Sequence, residues 1–335
     1  MNKISVVILN YNGEKLLLRF LPSVIKYSKN ATVIVADNAS TDQSLKILKT
    51  QFPSVQVIKL DTNYGFCGGY NRVLKQVEAE YYVLLNSDVE VTSGWLHPLI
   101  ALLDSNPSIA AVQPKILSYH QKDNFEYAGA GGGFIDSLGY PFCRGRLFDF
   151  TEKDIGQYND TREIFWATGA CLVVRSKVYH ELGGLDEDFF AHMEEIDLCW
   201  KIQRAGSRVF YCGSSHVYHV GAGTLARSSP RKTYYNFRNA LSLIAKHWST
   251  WALFIKLPLR LLLDYIAAFK FLVTGKSDDA SAIMRAHYRF VTDFGNVMSK
   301  RKLLKSKYPF SNRNAYYGSI LWEHFVLRKK KITIP

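Results

Sequence analysis

Several sequence features that often indicate a protein's class are missing from this 335-residue chain. Its five cysteines form no C-x-x-C pair, which argues against a zinc or redox motif and favours reduced cytosolic thiols. No apolar segment precedes the predicted strand at Ile4, so we expect no signal peptide. The chain also has no internal repeat and no long acidic or low-complexity tract. These absences favour a globular intracellular protein.

The charge is distributed unevenly along the chain. Residues 225–335 contain 21 Lys and Arg against 5 Asp and Glu, a net charge of +16. Residues 1–224 contain 21 Lys and Arg against 24 Asp and Glu, a net charge of −3. Because 47% of the residues are hydrophobic, the chain can bury a substantial core. We therefore expect one α/β domain followed by a basic appendage.

Three apolar runs in the first 90 residues end abruptly in polar residues. They cover residues 4–10, 32–37 and 83–88, and they end at Asn10, Asp37 and Asp88. Residues 13–27 lie between the first and second runs, and residues 42–50 follow the second. Both segments carry apolar residues at helical spacing. This alternation predicts parallel strands that deliver polar groups to one edge of a sheet.

Asp88 is the first candidate ligand. A carboxylate at the carboxyl end of a central strand suits Mg²⁺ or Mn²⁺ bound to a diphosphate, because ligands of open α/β sheets bind at that edge. Ordinary turns of Asn-Ser-Asp composition are common, however, so a simple turn is the alternative. The same holds for Asp37, whose segment also fits an Asx-turn.

A glycine-rich segment follows a fourth predicted strand at residues 55–60. It contains Gly65, Gly68 and Gly69 and precedes a helix expected to begin near Arg72. Glycines allow backbone amides to approach a phosphate or sugar closely. The segment matches neither G-x-G-x-x-G nor G-x-x-x-x-G-K-[ST], so it supports neither a dinucleotide fold nor a P-loop.

Four strings in this order resemble the family 2 glycosyltransferases of GT-A fold, especially their bacterial rhamnosyltransferase-like branch. They are Val6-Val7-Ile8-Leu9-Asn10-Tyr11-Asn12-Gly13, Asp37-Asn38-Ala39-Ser40-Thr41-Asp42, Asn63-x-Gly65-Phe66-x-Gly68-Gly69-x-Asn71 and Leu84-Leu85-Asn86-Ser87-Asp88. The resemblance spans residues 4 to about 224. It implies a Rossmann-like, mostly parallel sheet and an inverting transfer of a sugar from a nucleoside diphosphate donor.

The resemblance also implies roles for individual residues. Asp37 would lie near the nucleobase or ribose, and Asp88 would be the metal-binding member of a D-x-D-like triplet. Asn86 stands where the fullest form of that triplet has its first carboxylate. The further donor-site candidates are Asn10, Asn12, Asn63, Gly68, Asn71, Asn86 and Ser87.

The second half of the chain supplies candidates for the chemistry. Residues 166–175 are predicted to form a strand, and residues 183–201 resemble the acceptor-side segment and E-D-x-D-L-C helix of the family. The resemblance makes Glu195 the general base, although family members more often have Asp there. Glu195 shares an apolar stripe with Cys199 and Ile202, and desolvation there raises a carboxylate pKa.

A pair of acidic residues at the start of a helix is also favourable by itself, which is the alternative for Glu194 and Glu195. Asp197 and Lys201 are spaced to form an ion pair within the helix. Gly169, Glu194 and Asp197 remain candidates on the acceptor side.

His219 follows a predicted strand at residues 208–212, and the resemblance places it where it can complete the metal site. Histidine is an acceptable Mn²⁺ ligand. A buried core histidine is the alternative. Arg231, Lys232 and Arg238 come next, in a stretch that resembles Tyr-Tyr-x-x-Arg-Asn of the same branch. A cation there would reach the donor diphosphate, and solvation at the surface is the alternative.

The basic tail is predicted to form helices at residues 233–248, 251–274 and 279–300. The most apolar of them contains Lys256, Arg260, Asp264 and Lys270, a density of charge that argues against a membrane span. A helix with aromatic residues on one side and cations on the other suits an anionic membrane surface. A solvated helical face is the alternative, and no nucleic-acid recognition motif is present.

The sequence thus predicts a GT-A domain at residues 1–224, with a donor half to about residue 115 and an acceptor half after it. Residues 225–335 form the membrane- or partner-facing region. We expect a metal-dependent transfer of rhamnose or another hexose to a glycan or lipid-linked glycan, on the inner face of the cytoplasmic membrane. A UDP-hexose or UDP-N-acetylhexosamine transferase and a catalytically silent nucleotide-sugar-binding subunit are the alternatives. A nucleotidyltransferase is less well supported, since no basic triphosphate loop follows the first strand.

Overall fold

The protein is described here from a computed structural model that covers residues 2–221 and 229–334. The domain boundary predicted at residue 224 and the last residues of the predicted histidine segment, 222–224, lie outside these ranges. Within them the strands are β1 (Asn2–Asn10), β2 (Thr32–Asp37), β3 (Gln56–Lys59), β4 (Ala79–Asn86), β5 (Val89–Val91), β6 (Ile109–Ser118), β7 (Gly133–Ile135), β8 (Pro141–Cys143), β9 (Arg146–Leu147), β10 (Phe150–Thr151), β11 (Thr161–Glu163), β12 (Cys171–Arg175) and β13 (Arg208–His219).

Helices cover both faces of the sheet and form the C-terminal region. They are α1 (Glu14–Tyr27), α2 (Ser44–Gln51), α3 (Gly65–Leu74), α4 (Leu96–Ser105), α5 (Ser176–Glu181), α6 (Glu194–Arg204), α7 (Pro230–His247), α8 (Thr250–Val273), α9 (Ser277–Thr292) and α10 (Phe294–Lys307). A 3₁₀ turn at Glu187–Phe189 and a π-helical turn at Trp322–Val326 complete the described helical structure.

The central sheet has the strand order β11-β13-β6-β12-β4-β1-β2-β3, with β5 paired to β13. Strand β1 is parallel to both β2 and β4, and β13 is parallel to β6. Strand β12 is antiparallel to both of its neighbours. A small antiparallel sheet, β7 to β10, lies beside it. The predicted α/β architecture with a mostly parallel sheet is confirmed.

Alternate residues of the central strands pack on opposite faces of the sheet. In β4, Val83 and Leu85 contact the core under α1 and α4, whereas Tyr82 and Leu84 contact the core that includes α3 and α6. Because both faces are buried, the strands are continuously apolar, which is the pattern that the sequence shows. Polar residues therefore collect at the strand ends.

Several predicted elements differ from the structure. The strand predicted at 166–175 begins only at Cys171, because the Thr168 hydroxyl accepts a hydrogen bond from Ala170 N and forms a turn. The strand predicted at 208–212 continues to His219 after an irregularity between Cys212 and His216. The helix predicted at 279–300 is interrupted at Asp293, where Asp and Gly, both weak helix formers, lie close together.

Helix α8 is oriented with its charged side toward the protein. Arg260 and Asp264 are buried, and Lys256 donates a hydrogen bond to the carbonyl of Ser137. Many of the aromatic and aliphatic residues of α8 are exposed on the other side, although Leu253, Leu257 and Leu261 pack against the core. The predicted two-sided character of this helix is present, but Lys256 and Arg260 contact the sheet domain, whereas Lys270 is exposed. Within the described residues no helix is long and apolar enough to cross a membrane.

Candidate active site at the strand ends

The ends of β1 and β2 are joined by buried polar side chains. Asn10 Nδ2 donates hydrogen bonds to Asp37 Oδ1 at 3.1 Å and to Ser40 Oγ at 3.2 Å. The second oxygen of Asp37 accepts the backbone N–H of Ser40, three residues further on, and so stabilises the turn after β2. Asn10 and Asp37 are therefore brought together as predicted, and in this structure both carboxylate oxygens of Asp37 stabilise the turn.

Neighbouring loops are tied to this pair. Asn12 Oδ1 accepts the backbone N–H of Thr41 at 2.7 Å, so the segment after β1 is fixed to the segment after β2. Asn38 Nδ2 donates to Asn63 Oδ1 at 3.0 Å, which links β2 to the segment after β3. The donor-site candidates Asn12 and Asn63 thus belong to one hydrogen-bonded edge.

The glycine-rich segment does not form the predicted loop, because α3 begins at Gly65 rather than near Arg72. Asn63 Oδ1 accepts the N–H of Gly65, and the Phe190 carbonyl accepts the N–H of Phe66 at 3.1 Å. These amides of the first turn of α3 are thus already bonded within the protein. A Cβ at Gly69 would lie 2.8 Å from the Leu9 side chain, so this glycine allows α3 to pack closely on β1.

Gly68 and Asn71 are both in close contact with other parts of the protein. A Cβ at Gly68 would lie 3.0 Å from Tyr64 and 3.3 Å from Glu187. Asn71 Nδ2 donates to the Leu185 carbonyl, and its Oδ1 accepts from Tyr179 Oη and the N–H of Leu185. Asn71 therefore joins α3 to the segment before α6. The roles predicted for Gly68 and Asn71 in donor binding stay predictions.

Asp88 and His219 meet where β4 and β13 end. His219 Nε2 lies 3.1 Å from Asp88 Oδ1, and Asn86 Nδ2 lies 3.5 Å from the same nitrogen. Strand β5 brings these residues together, since it follows Asp88 directly and pairs Val89 with His219. Ser87 is partly buried beside them, near Gly13.

Glu126 lies on the other side of the His219 ring. Its Oε2 is 3.3 Å from His219 Nδ1, and both residues are buried. Burial lowers the pKa of His219, but the carboxylates of Asp88 and Glu126 outweigh it and raise that pKa to about 10. The imidazole of His219 thus lies between two carboxylates.

The donor set fits a divalent cation that also binds a diphosphate. Asp88 offers a carboxylate oxygen and His219 offers Nε2, while Glu126 is placed to orient the ring through Nδ1, as carboxylates do in histidine metal sites. In the described residues no group of three or more acidic, histidine or cysteine side chains converges on a metal position. Mg²⁺ and Mn²⁺ commonly take one or two protein ligands and complete their coordination with phosphate oxygens and water.

Helix α6 begins with two buried or half-buried carboxylates. Burial raises the pKa of Glu195 to about 7 and holds the pKa of Glu194 well above its usual range. One oxygen of each side chain, Oε2, has no hydrogen-bond partner in the structure. An unpartnered carboxylate with a pKa near neutrality is suited to accept a proton.

The backbone that leads into α6 is unusual. Phe190, His192 and Met193 have positive φ angles of 62°, 68° and 74°, although none of them is glycine. Such conformations are unfavourable for L-residues and cluster at functional sites. Asn239 of α7 holds this segment, because its Nδ2 donates to the carbonyls of Phe189, Ala191 and His192.

Gly169 and Glu194, two of the predicted acceptor-side residues, lie close to each other. A Cβ at Gly169 would be 3.6 Å from the Phe66 ring and 3.9 Å from Glu194 Oε1. The glycine-rich segment 128–133 lies behind this position: the Gly129 carbonyl accepts a hydrogen bond from Gln113, whose Oε1 accepts the N–H of Thr168. Residues 129–133 of that segment are buried.

Asp197, the third acceptor-side candidate, is fully enclosed. It lies 2.7 Å from Lys246 Nζ, 2.8 Å from His247 Nε2 and 3.4 Å from Lys201 Nζ. The predicted pairing with Lys201 is present. Although burial raises the pKa of Asp197, the cations around it hold that pKa well below its usual range. A buried carboxylate of this kind joins α6 to α7 and is not accessible to an acceptor.

The two arginines of α7 differ. Arg231 is exposed and lies over the rings of Phe190 and Tyr235, at 5.7 and 5.8 Å from their centroids. Arg238 instead donates to the carbonyl of Asp188 and to Asn239 Oδ1. Arg231 thus lies beside Phe190, in the segment that precedes α6. Arg238 is instead held by hydrogen bonds within the protein.

Sequence reasoning missed Glu126 and Asn239. No local pattern marks Glu126, because its partner His219 is reached only through the pairing of β13 with β6. Asn239 was visible beside Arg238 in the Tyr-Tyr-x-x-Arg-Asn stretch, but its role depends on carbonyls from another segment.

Known proteins resemble this chain in sequence. The sequence profile described as glycosyl transferase family 2 matches residues 5–183. An N-acetylglucosaminyl-diphospho-decaprenol L-rhamnosyltransferase of Mycobacterium tuberculosis is 25% identical over 265 residues, which cover 73% of this chain and 85% of the relative. A low-salt glycan biosynthesis hexosyltransferase of Haloferax volcanii is 22% identical over 244 residues, covering 71% and 74% of the two chains.

Solved structures show the same fold. Residues 1–349 of S. aureus TarS in complex with UDP-GlcNAc superpose with a TM-score of 0.55 at 15% identity, covering 95% of this chain and 99% of that chain. A Pyrobaculum calidifontis mannosyltransferase with GDP-Man and Mn²⁺ gives 0.52 at 14% identity, covering 91% and 85%. GalNAc-T7 with UDP, GalNAc and Mn²⁺ gives 0.58 at 17% identity and covers 92% of this chain but 58% of GalNAc-T7. The chain has the GT-A fold and belongs to glycosyl transferase family 2.

Proposed function

We propose that this protein is an inverting glycosyltransferase that transfers a hexose, with rhamnose as the first candidate, from a nucleoside diphosphate donor to a glycan or lipid-linked glycan. The observation that carries the proposal is the Asp88 and His219 pair at the strand ends, with Glu126 behind the imidazole. The rhamnosyltransferase relative, whose name includes a diphospho-decaprenol acceptor, supports the choice of sugar and of a lipid-linked acceptor.

Donor binding is assigned to the hydrogen-bonded edge formed by the segments after β1, β2 and β3. In this proposal Asp37 and Asn10 lie near the nucleobase or ribose, with Asn12 and Asn63 beside them. Each carboxylate oxygen of Asp37 accepts one hydrogen bond within the protein and keeps a second lone pair with which it could accept a hydrogen bond from the nucleoside. Arg231 is proposed to approach the donor diphosphate from α7.

Asp88 and His219 would hold Mg²⁺ or Mn²⁺, and Glu126 would orient His219. Such a cation, when bound, neutralises charge on the departing diphosphate. His219 must lose its proton to act as a ligand, so Asp88 and Glu126 determine how readily the site loads. Asn86 contributes an amide in place of the first carboxylate of the family triplet.

Glu195 is proposed as the general base that accepts the proton of the acceptor hydroxyl as its oxygen attacks the anomeric carbon. Its raised pKa and unpartnered oxygen support this role. Glu194 and Gly169 would line the acceptor side. We assign residues 225–335, which hold the net positive charge, to contact with an anionic membrane surface at its cytoplasmic face.

A donor panel tests the proposal. The full chain is assayed with nucleoside diphosphate rhamnose, UDP-hexose and UDP-N-acetylhexosamine, with and without Mn²⁺, for thermal shift and for release of nucleoside diphosphate. A ligand at 100 times its Kd stabilises the folded state by about 2.7 kcal/mol. Mn²⁺-dependent binding and turnover with rhamnose support the first candidate, and turnover only with a UDP sugar selects the alternative. Donor binding without turnover identifies a silent subunit.

A further inference from the structure

Helix α8 carries an apolar stripe that is largely exposed in the described chain. Six apolar side chains recur at helical spacing and are between 55% and 76% exposed. They are Trp251, Phe254, Ile255, Leu262, Ile266 and Phe269. A helix of 24 residues is about 36 Å long. Exposed apolar surfaces of this extent are uncommon on soluble monomers and indicate an interaction site.

The opposite side of α8 fixes the direction in which this stripe points. Arg260 Nε donates to Asp264 Oδ1 at 2.9 Å, and His287 Nε2 of α9 lies 3.2 Å from Asp264 Oδ2. The Arg260 guanidinium also lies 3.8 Å from the centre of the Tyr140 ring. Because these charged groups are buried and paired, rotation of α8 to hide its apolar residues would expose that network and separate the pairs.

Cations and aromatic residues surround the C-terminal end of the stripe. Lys270 and Lys276 are exposed, and Lys270 Nζ lies 5.2 Å from the centre of the Phe325 ring. Trp322, in the same C-terminal turn as Phe325, is 58% exposed. Tryptophan and lysine in this arrangement suit the boundary between acyl chains and anionic headgroups.

We propose that α8 lies in the plane of an anionic bilayer leaflet, with its apolar stripe inserted among the acyl chains and the surrounding cations at the headgroups. Charge complementarity selects this occupant, because residues 225–335 carry a net charge of +16. The inference deepens the membrane contact included in the proposed function. It identifies the contacting surface, and it makes apolar insertion rather than electrostatic attraction the main source of binding.

The test uses the full chain and sedimentation with vesicles of phosphatidylcholine alone or mixed with phosphatidylglycerol, at low and high salt. The double variant Phe254→Gln/Phe269→Gln removes two inserted rings, and Ile155→Gln is the matched control because Ile155 is 80% exposed in a loop of the sheet domain. The wild type is expected to bind mixed vesicles and to retain a bound fraction at high salt. The double variant is expected to partition at least about tenfold less, and the control is expected to match the wild type.

A second measurement does not depend on the double variant. Brominated lipids are expected to quench the fluorescence of the wild type more than that of Trp251→Phe, since Trp251 would lie within the leaflet. Complete release by salt, equal binding of the double variant, or no difference in quenching would overturn the proposal. A lipid-free dimer that the double substitution dissociates would also overturn it. Donor turnover, measured on the same preparations, separates failure here from failure of the proposed function.

Discussion

His219 Nε2 lies 3.1 Å from Asp88 Oδ1, although one residue ends β13 and the other follows β4. The contact depends on β5, which turns back after Asp88 and pairs with the end of β13. A histidine and an aspartate that are far apart in sequence thereby form one possible ligand pair. The first prediction concerns this pair.

Asp88→Asn is expected to remove Mn²⁺-dependent donor binding while the fold remains intact, because a carboxylate at a strand end contributes to the ion and little to the core. The donor-induced stabilisation of about 2.7 kcal/mol at saturating ligand should disappear in a thermal-shift assay. Asp149→Asn, at an exposed position, is the control. Equal donor affinity in wild type and Asp88→Asn would contradict the assignment.

His219→Ala is expected to weaken Mn²⁺ dependence in the same direction but by less, since Asp88 remains. Circular dichroism and urea unfolding distinguish the two interpretations of this residue. A folded variant with weaker metal dependence supports a ligand, whereas loss of the fold supports a core histidine held between two carboxylates.

Glu195→Gln is expected to lower turnover by about 10²-fold or more, with donor affinity nearly unchanged, because the amide cannot accept the proton. In the wild type, turnover should rise with pH and level off above about 7, as Glu195 ionises. Retained turnover in Glu195→Gln would move the base to Glu194. Glu195→Asp shortens the side chain by one methylene and introduces the residue that the family resemblance leads us to expect at this position. Higher activity of this variant would show that the native site is suboptimal.

Glu194→Gln is expected to flatten the dependence of stability on pH. Because the pKa of Glu194 is raised in the folded state, the wild type keeps a proton that the unfolded chain releases. That contribution is complete below the unfolded pKa and is lost as the pH rises toward the folded pKa. Urea unfolding at pH 5 and pH 8 should therefore show a larger loss for the wild type than for the variant. Glu181→Gln, with its exposed side chain, should follow the wild type.

A chain that ends before α7 is expected not to fold. Leu241, Leu243 and Ile244 of α7 belong to the core that also contains Trp200, and Lys246 and His247 pair with Asp197. Removal of the partners of a buried charge costs about 3–5 kcal/mol. Circular dichroism of a chain that ends at residue 221 should show loss of cooperative unfolding. A cooperatively folded product would show that α6 does not need α7.

The sequence by itself determined the alternation of strands and helices and the polar residues at the strand ends. Apolar runs at 4–10, 32–37 and 83–88 are typical of buried strands, and their polar ends share an edge when the strands are parallel. Asp37, Asp88, Glu195 and the Asp197 and Lys201 pair were found in this way or through the family motifs.

Tertiary structure alone decided which of these groups are accessible and what surrounds them. Asn71 joins α3 to the segment before α6 through hydrogen bonds, and helical spacing does not reveal such contacts. The β6 and β5 pairings of β13 bring Glu126 and Asp88 to His219, and strand pairing between distant segments leaves no local pattern. The direction of the α8 stripe was likewise set by Arg260, Asp264 and His287, because two-sided periodicity shows that a helix has two faces but not which face meets the protein.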